Sequence, residues 1–374
     1  MSGFRPLATV FLGTIFTGLV VLLVVNSVGQ LPCITCTDRD GPRDWEALRA
    51  LGVVVSPGAF AMSTLLFLIP AAVGLFWAVF DLEFRPWRKI LLRGLAILTV
   101  LSVIVDVGFL GATCFTFPNR EANVGIVMIP MFDWTTKSWL MMPWEDLVFY
   151  IVAAALTMVL YAWLTLSFLR QTNEDYWPDW SAERVANLVR GGDVLECWHG
   201  AWFIKGHPTK PDRFWPSFKL FVRDARHHQL GRMFALVLCG LAGVVWIYGQ
   251  FDAIDGTPVY AMYLLISAGV ASYLLLGQVY DHLNWRAFAL TAVYMALLSV
   301  VYEITLALPF GWWGFRESLM LGVSMAAWWD QPIEQLFIYA SGTYVIVLIW
   351  EAVLLWDAWA NPREAPSVVE IRAS

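Results

Sequence analysis

The chain has 374 residues, of which 59% are hydrophobic and only 14% charged, with a formal net charge of −6. A soluble globular domain carries about 25% charged residues, so the composition excludes an ordinary water-soluble domain and points to a membrane protein. The net charge excludes less, because in a membrane protein the sidedness of the charges carries more information than their sum.

Crossing a bilayer core of about 30 Å takes roughly 20 apolar residues of helix. In chain order the sequence predicts eight such spans, at 7–28, 52–80, 89–111, 143–168, 233–253, 258–280, 285–307 and 331–356. The first run is longer than the 7–15 residues of a signal-peptide core, and no clear small-x-small cleavage site follows it, so it reads as a retained helix. An even number of spans puts both termini on one side. That side carries Arg5, the group Arg85, Arg88, Lys89 and Arg93, ten basic residues from Arg170 to Arg232, and Arg286, Arg363 and Arg372. Only Arg39, Arg43, Arg49, Arg120, Lys137 and Arg316 fall on the other. Cytoplasmic loops collect Lys and Arg, so both termini are expected in the cytoplasm. The expected location is integral to a prokaryotic plasma membrane. The basic residues follow this rule rather than forming a nucleic-acid patch.

A repeat organises the spans. The second helix ends Phe80-Asp81 before Pro86-Trp87-Arg88, and about 190 residues later another ends Tyr280-Asp281 before Asn284-Trp285-Arg286. The next helix of each half holds an acid in apolar sequence, Asp106 and Glu303. The fourth opens Pro143-Trp144-Glu145-Asp146-Leu147-Val148-Phe149-Tyr150 in one half and Pro332-Ile333-Glu334-Gln335-Leu336-Phe337-Ile338-Tyr339 in the other. Three landmarks in the same order predict an all-α integral membrane fold of two four-helix repeats, parallel because each half has an even number of helices. The expected units are a first repeat over 1–168, a cytoplasmic linker over 169–232, a second repeat over 233–360 and a polar tail over 361–374. The linker is polar, basic and rich in Trp and Pro, and Ser181-Ala182-Glu183-Arg184 has the look of a helix start.

Charge inside a bilayer costs a few kcal/mol per residue on insertion scales, so Asp106 and Glu303 need a reason to be there. Glu145 and Glu334 have an ordinary one, since an acid in a helix's first turn complements the dipole and caps free amides. The doubling of both features favours a functional cluster near the external side. Carboxyl groups gathered in a water-poor pocket favour their protonated form, and a neutral carboxylic acid can protonate a carbon–carbon double bond while a neighbour takes a proton back. Aromatic faces stabilise the cation formed in between. Trp134, Trp139, Trp144, Trp312, Trp313, Trp328 and Trp329 crowd the same segments, although an interfacial aromatic belt accounts for part of that crowding.

An aromatic-Asp helix end, an acid in the following helix, and then Pro-x-Glu-acid before Leu-x-Phe resembles the small membrane-embedded lycopene cyclase domain family, found as heterodimeric bacterial subunits and as fused tandem proteins. The resemblance spans roughly 52–168 and 258–356. Glu145 and Asp146 match the family's Pro-x-Glu-Glu pattern with Asp in the second place, while Glu334 is followed by Gln335 where the family has an acid. It implies non-redox ring closure on an isoprenoid taken from the bilayer, a carotenoid such as lycopene or a related terpenoid. Glu145 and Glu334 are then the candidate proton donors, and Asp106, Asp146 and Glu303 the acceptors or electrostatic partners. Trp144, Phe149, Tyr150, Trp312, Trp313, Gln335 and Tyr339 are expected to line the substrate. No cofactor or metal is implied, and membrane lipids are the other expected partners.

Two other classes compete. Parallel repeats with intramembrane acids also suit a proton-coupled small-molecule transporter. Cys33-Ile34-Thr35-Cys36 on an external loop would suit a thiol oxidoreductase, but a local disulfide or two free thiols explains it more simply. Asp81, with Asp281 and His282, could hold a diphosphate through a metal, against a plain helix-end explanation. There is no dinucleotide fingerprint, P-loop or H-E-x-x-H motif.

Overall fold

The computed structural model describes residues 70–71, 73–74, 87–105, 114–116, 128–133, 138–165, 228–251, 257–280, 283–308 and 312–360. The first expected span, most of the second (52–80), the linker as far as residue 227, the 361–374 tail, Asp81, Asp106, Asp281, His282 and the Cys33–Cys36 pair lie outside those residues, while 228–232, expected as the end of the linker, already belong to the helix His228–Phe251. Six helices carry the described fold: α1 (Trp87–Val105), α2 (Trp144–Trp163), α3 (His228–Phe251), α4 (Val259–Ala271, continued through Ser272–Leu276 and Gly277–Val279), α5 (Trp285–Tyr302) and α6 (Glu334–Ala360). Five of them, α2 to α6, are long and apolar enough to cross a membrane. This is the structure expected where lipid offers the backbone no hydrogen bonds and the helix must satisfy its own.

The helices differ in how much of their apolar surface is covered. Helix α2 is buried along most of its length, and Met158 and Tyr161 have no exposed surface. It packs against α1, α5 and α6, and α6 supplies Val347, Leu348 and Trp350 to the same core. Helix α3 packs on α4 along one side and exposes Met233, Phe234, Leu236, Val237, Val244, Trp246 and Ile247 on the others. Apolar surface on that scale marks contact with something other than water, and on a helix of spanning length that something is lipid. The molecule is an integral membrane protein.

Gly231 sets the approach of α3 to α4. A Cβ there would lie 2.6 Å from the Ser272 carbonyl oxygen and 3.3 Å from the Gly277 amide nitrogen, both backbone atoms. The segment it meets, Ser272–Leu276, is a π-helical turn, and the Ser272 hydroxyl is 2.7 Å from the Tyr344 hydroxyl of α6.

Some boundaries differ from the sequence expectation. The run at 89–111 forms a described helix only over Trp87–Val105. Pro143 is the N-cap of α2, with φ −66°, rather than its first helical residue, and Pro332 lies two residues ahead of α6. The stretches before these helices also carry short antiparallel ladders that hydropathy does not signal. Strand β1 (Phe115–Thr116) pairs with β4 (Gly314–Phe315), β2 (Met128–Asp133) with β3 (Ser138–Pro143), and β5 (Ser324–Met325) with β6 (Gln331–Pro332). The β1–β4 ladder ties a segment ahead of α2 to one ahead of α6.

Candidate functional site

The site is built where α5 ends and α6 begins. Helix α5 gives way at Glu303 to a π turn over Glu303–Ala307, with the Leu308 amide donating to the Glu303 carbonyl at 2.9 Å and the Trp312 amide to that of Ala307 at 2.9 Å. A π turn inserts one residue into the helical repeat and re-aims the side chains around it, which is why such turns recur at functional sites. Glu303 is 1% exposed. Its carboxyl accepts hydrogen bonds from the Gln331 amide, the Gln335 amide and the Tyr339 hydroxyl. Gln335 is fixed in turn: its Oε1 accepts from the Tyr260 hydroxyl at 2.6 Å, and its Nε2 also lies 3.1 Å from the Tyr339 hydroxyl. Among the described residues no cation pairs with Glu303. A buried charge without a partner ion costs several kcal/mol, and here three hydrogen-bond donors from α6 and the loop ahead of it take the place of a counter-ion.

Glu334 opens α6 and is also 1% exposed. One carboxyl oxygen accepts from the Leu321 amide, while Oε2 is buried and has no hydrogen-bond partner among the described residues. The loop that carries Leu321 and Gln331 is held by the Arg316 amide on the Cys114 carbonyl and the Ile333 amide on that of Val323, both at 3.0 Å. It then turns through Trp329 (φ 60°) and Asp330 (φ 52°). Two consecutive non-glycine residues in the left-handed region are strained, and they lie directly before Gln331.

Aromatic rings cluster around Tyr302, directly ahead of Glu303. Phe149 of α2 stacks on Tyr302, the residue before Glu303, with centroids 5.4 Å apart and planes at 27°. Trp313 packs on both, at 5.5 and 5.6 Å, and Trp312 on Tyr302 at 6.0 Å. Tyr150 meets Phe149 edge-on at 5.9 Å. This cluster links the first turns of α2 to the end of α5. Glu145 and Asp146 are buried in the first turn of α2, 1% and 5% exposed, one turn ahead of Phe149. Trp144 is half-buried, and its indole nitrogen has no hydrogen-bond partner among the described residues.

Of the residues singled out from the sequence, Glu303, Gln335 and Tyr339 form one hydrogen-bonded group, with Glu334 preceding Gln335 in the first turn of α6. Phe149, Tyr150, Trp312 and Trp313 form the aromatic wall. Asp106 lies outside the described residues. Tyr260, Tyr302 and Gln331 belong to the site without having been expected there. Gln331 stands directly ahead of Pro332 in a motif that was read only from the proline onward, and no local signal marks Tyr260. A second buried acid was also missed. Glu351, 6% exposed, accepts from the Tyr161 hydroxyl at 2.7 Å, and that hydroxyl accepts from the Asn284 amide at 3.1 Å. The criterion that picked Glu303, an acid inside an apolar run, applies equally to Glu351. No group of three or more His, Cys, Asp or Glu that could hold a metal occurs among the described residues.

Compared with protein-family models, curated proteins and solved structures, the chain matches none.

Proposed function

We propose that the protein is a non-redox isoprenoid cyclase of the membrane interior, built as eight spans in two parallel four-helix repeats. The observation that carries this reading is two buried carboxyl groups, Glu303 and Glu334, with no cation paired to them among the described residues, Glu303 directly following Tyr302 of the Phe149–Tyr302–Trp313 ring cluster. In the proposed reaction Glu334 gives a proton to a terminal double bond from Oε2, its other oxygen being held by the Leu321 amide. The resulting cation is attacked by an internal double bond of the same chain, closing the ring. A neighbouring carboxylate then takes a proton from the adjacent carbon, so the product has the mass of the substrate. Glu303, held by three donors, is suited to the role of fixed electrostatic partner, and the ring faces to that of cation stabilisers. Glu145, in the first turn of α2, is the counterpart donor in the first repeat, with Asp146 and Asp106 as its partners. A carotenoid such as lycopene, or a related terpenoid, is the proposed substrate class.

The test is expression in a bacterial host that accumulates lycopene, with pigments separated by chromatography and weighed by mass spectrometry. The expected product has unchanged mass and shifted retention, and disappears in Glu334→Gln or Glu145→Gln. Lycopene and a panel of shorter prenyl substrates all recovered unchanged would overturn the reading.

One observation favours a second reading, a proton-coupled carrier. Glu351 lies seventeen residues beyond Glu334 on α6, about 25 Å along a helix that rises about 1.5 Å per residue. Buried acids at the start of one spanning helix and well along its second half suit a relay. Proton uptake by proteoliposomes, lost in Glu351→Gln, would favour the carrier over the cyclase.

A further inference from the structure

Gln331 carries a feature that neither the carboxyl pair nor the aromatic wall uses. Its side chain has no exposed surface. One end is committed, since Nε2 donates to Glu303. The other end, Oε1, is buried and has no hydrogen-bond partner among the described residues. A buried amide oxygen left unmatched costs about 1–3 kcal/mol, and the great majority of such atoms in folded proteins are satisfied. Rotating the amide by half a turn does not help, because it would face Oε1 toward the Glu303 carboxyl and leave Nε2 unmatched instead. The backbone around Gln331 is defined on both sides, by the left-handed Trp329 and Asp330 before it and by the pairing of Gln331 with Met325. The bare acceptor is therefore a fixed feature beside the Glu303 carboxyl that Nε2 of the same side chain holds.

A pure hydrocarbon cannot satisfy this atom, and a ligand with a hydroxyl can. We propose that the lipophilic ligand of this site carries a hydroxyl group at the end that enters it, and that this hydroxyl donates to Gln331 Oε1. The proposal rests on the isoprenoid reading above and narrows its substrate class from plain polyene hydrocarbons to isoprenoid alcohols. It assigns a partner to the unmatched Gln331 Oε1, the ligand hydroxyl. Sites built to hydrogen-bond a ligand hydroxyl discriminate strongly against analogues that lack it, because the buried partner is left unpaired.

Three probes of one chain length separate the alternatives with the unaltered protein: geranylgeraniol, its methyl ether and the corresponding hydrocarbon. The ether keeps the oxygen as an acceptor and loses only the donor. Affinities would be read from quenching of the tryptophan fluorescence in nanodiscs, corrected for partition into empty nanodiscs. The alcohol is expected to bind at least about tenfold tighter than the ether, equivalent to about 1.4 kcal/mol, with the hydrocarbon no better than the ether. In Gln331→Met, which keeps the length and removes the amide, the three should bind within about twofold of one another, provided the variant elutes and unfolds like the parent. Equal binding of alcohol and ether by the parent protein would overturn the proposal and leave a water molecule as the donor to Oε1. Discrimination that persists in a folded Gln331→Met would overturn it too. Because the readout is affinity rather than product, ring closure on a hydrocarbon with no preference for the alcohol would sink this inference while sparing the cyclase reading.

Discussion

Replacing Tyr161 with phenylalanine removes one oxygen atom from the centre of the helix bundle and leaves the packing volume in place. That hydroxyl donates to Glu351 at 2.7 Å and accepts from the Asn284 backbone N–H at 3.1 Å. It thereby joins α2 to both α5 and α6. Interhelical hydrogen bonds in membrane proteins average about 0.6 kcal/mol by double-mutant cycles, with a maximum near 1.7. Tyr161 belongs at the upper end for three reasons. It has no exposed surface, its partners are only 6% and 4% exposed, and one of them is a carboxyl group. Losing both contacts and leaving two buried groups unmatched is expected to cost about 1.5–3 kcal/mol. The same principle predicts partial rescue. In Tyr161→Phe with Glu351→Met the orphaned carboxyl is gone, so the pair should cost less than the sum of the single changes by about 1 kcal/mol or more. The assay is reversible unfolding in mixed micelles, comparing the parent, both single variants and the double variant. A Tyr161→Phe protein within about 0.5 kcal/mol of the parent, or strict additivity in the cycle, would refute the reasoning.

Gly231→Ala should push α3 away from the π turn of α4, because the added carbon meets backbone at 2.6 Å and neither helix can yield locally. A destabilisation of about 1–3 kcal/mol is expected. Gly240→Ala and Gly243→Ala, where an added carbon meets nothing within 4 Å, should instead be neutral or stabilising by up to about 1 kcal/mol through helix propensity; thermal melts of the three variants side by side check the contrast. Asp330→Gly should stabilise the loop ahead of α6 by about 1 kcal/mol, since glycine takes φ 52° without strain. The competing losses are the backbone freedom that glycine adds to the unfolded chain and, among the described residues, a 3.4 Å contact from the exposed Ser324 hydroxyl; a lowered melting temperature would show that strain at the left-handed pair is smaller than these.

Part of this arrangement was legible in the residues because bilayer constraints are local. A run of some twenty apolar residues must be a helix in lipid whatever it packs against, and on that ground α2 to α6 were expected close to where they lie. An acid in such a run stands out against its neighbours, so Glu303 and the helix-opening Glu145 and Glu334 could be named in advance. Glu351 was open to the same argument.

What the sequence by itself determined, then, is that the chain crosses a membrane, roughly where, and which of its acids are out of place. It could not determine how those acids are matched, because hydrogen-bond partners come from distant positions that no period connects. Tyr260 reaches Gln335 across 75 residues and Tyr161 reaches Glu351 across 190. The short ladders, the π turn at Glu303 and the left-handed Trp329–Asp330 corner likewise carry no hydropathy signal, since each depends on backbone geometry imposed by neighbouring segments. Only the tertiary structure decided that three side chains hold Glu303, that a backbone amide holds one oxygen of Glu334, and that the buried Gln331 acceptor is left unmatched among the described residues.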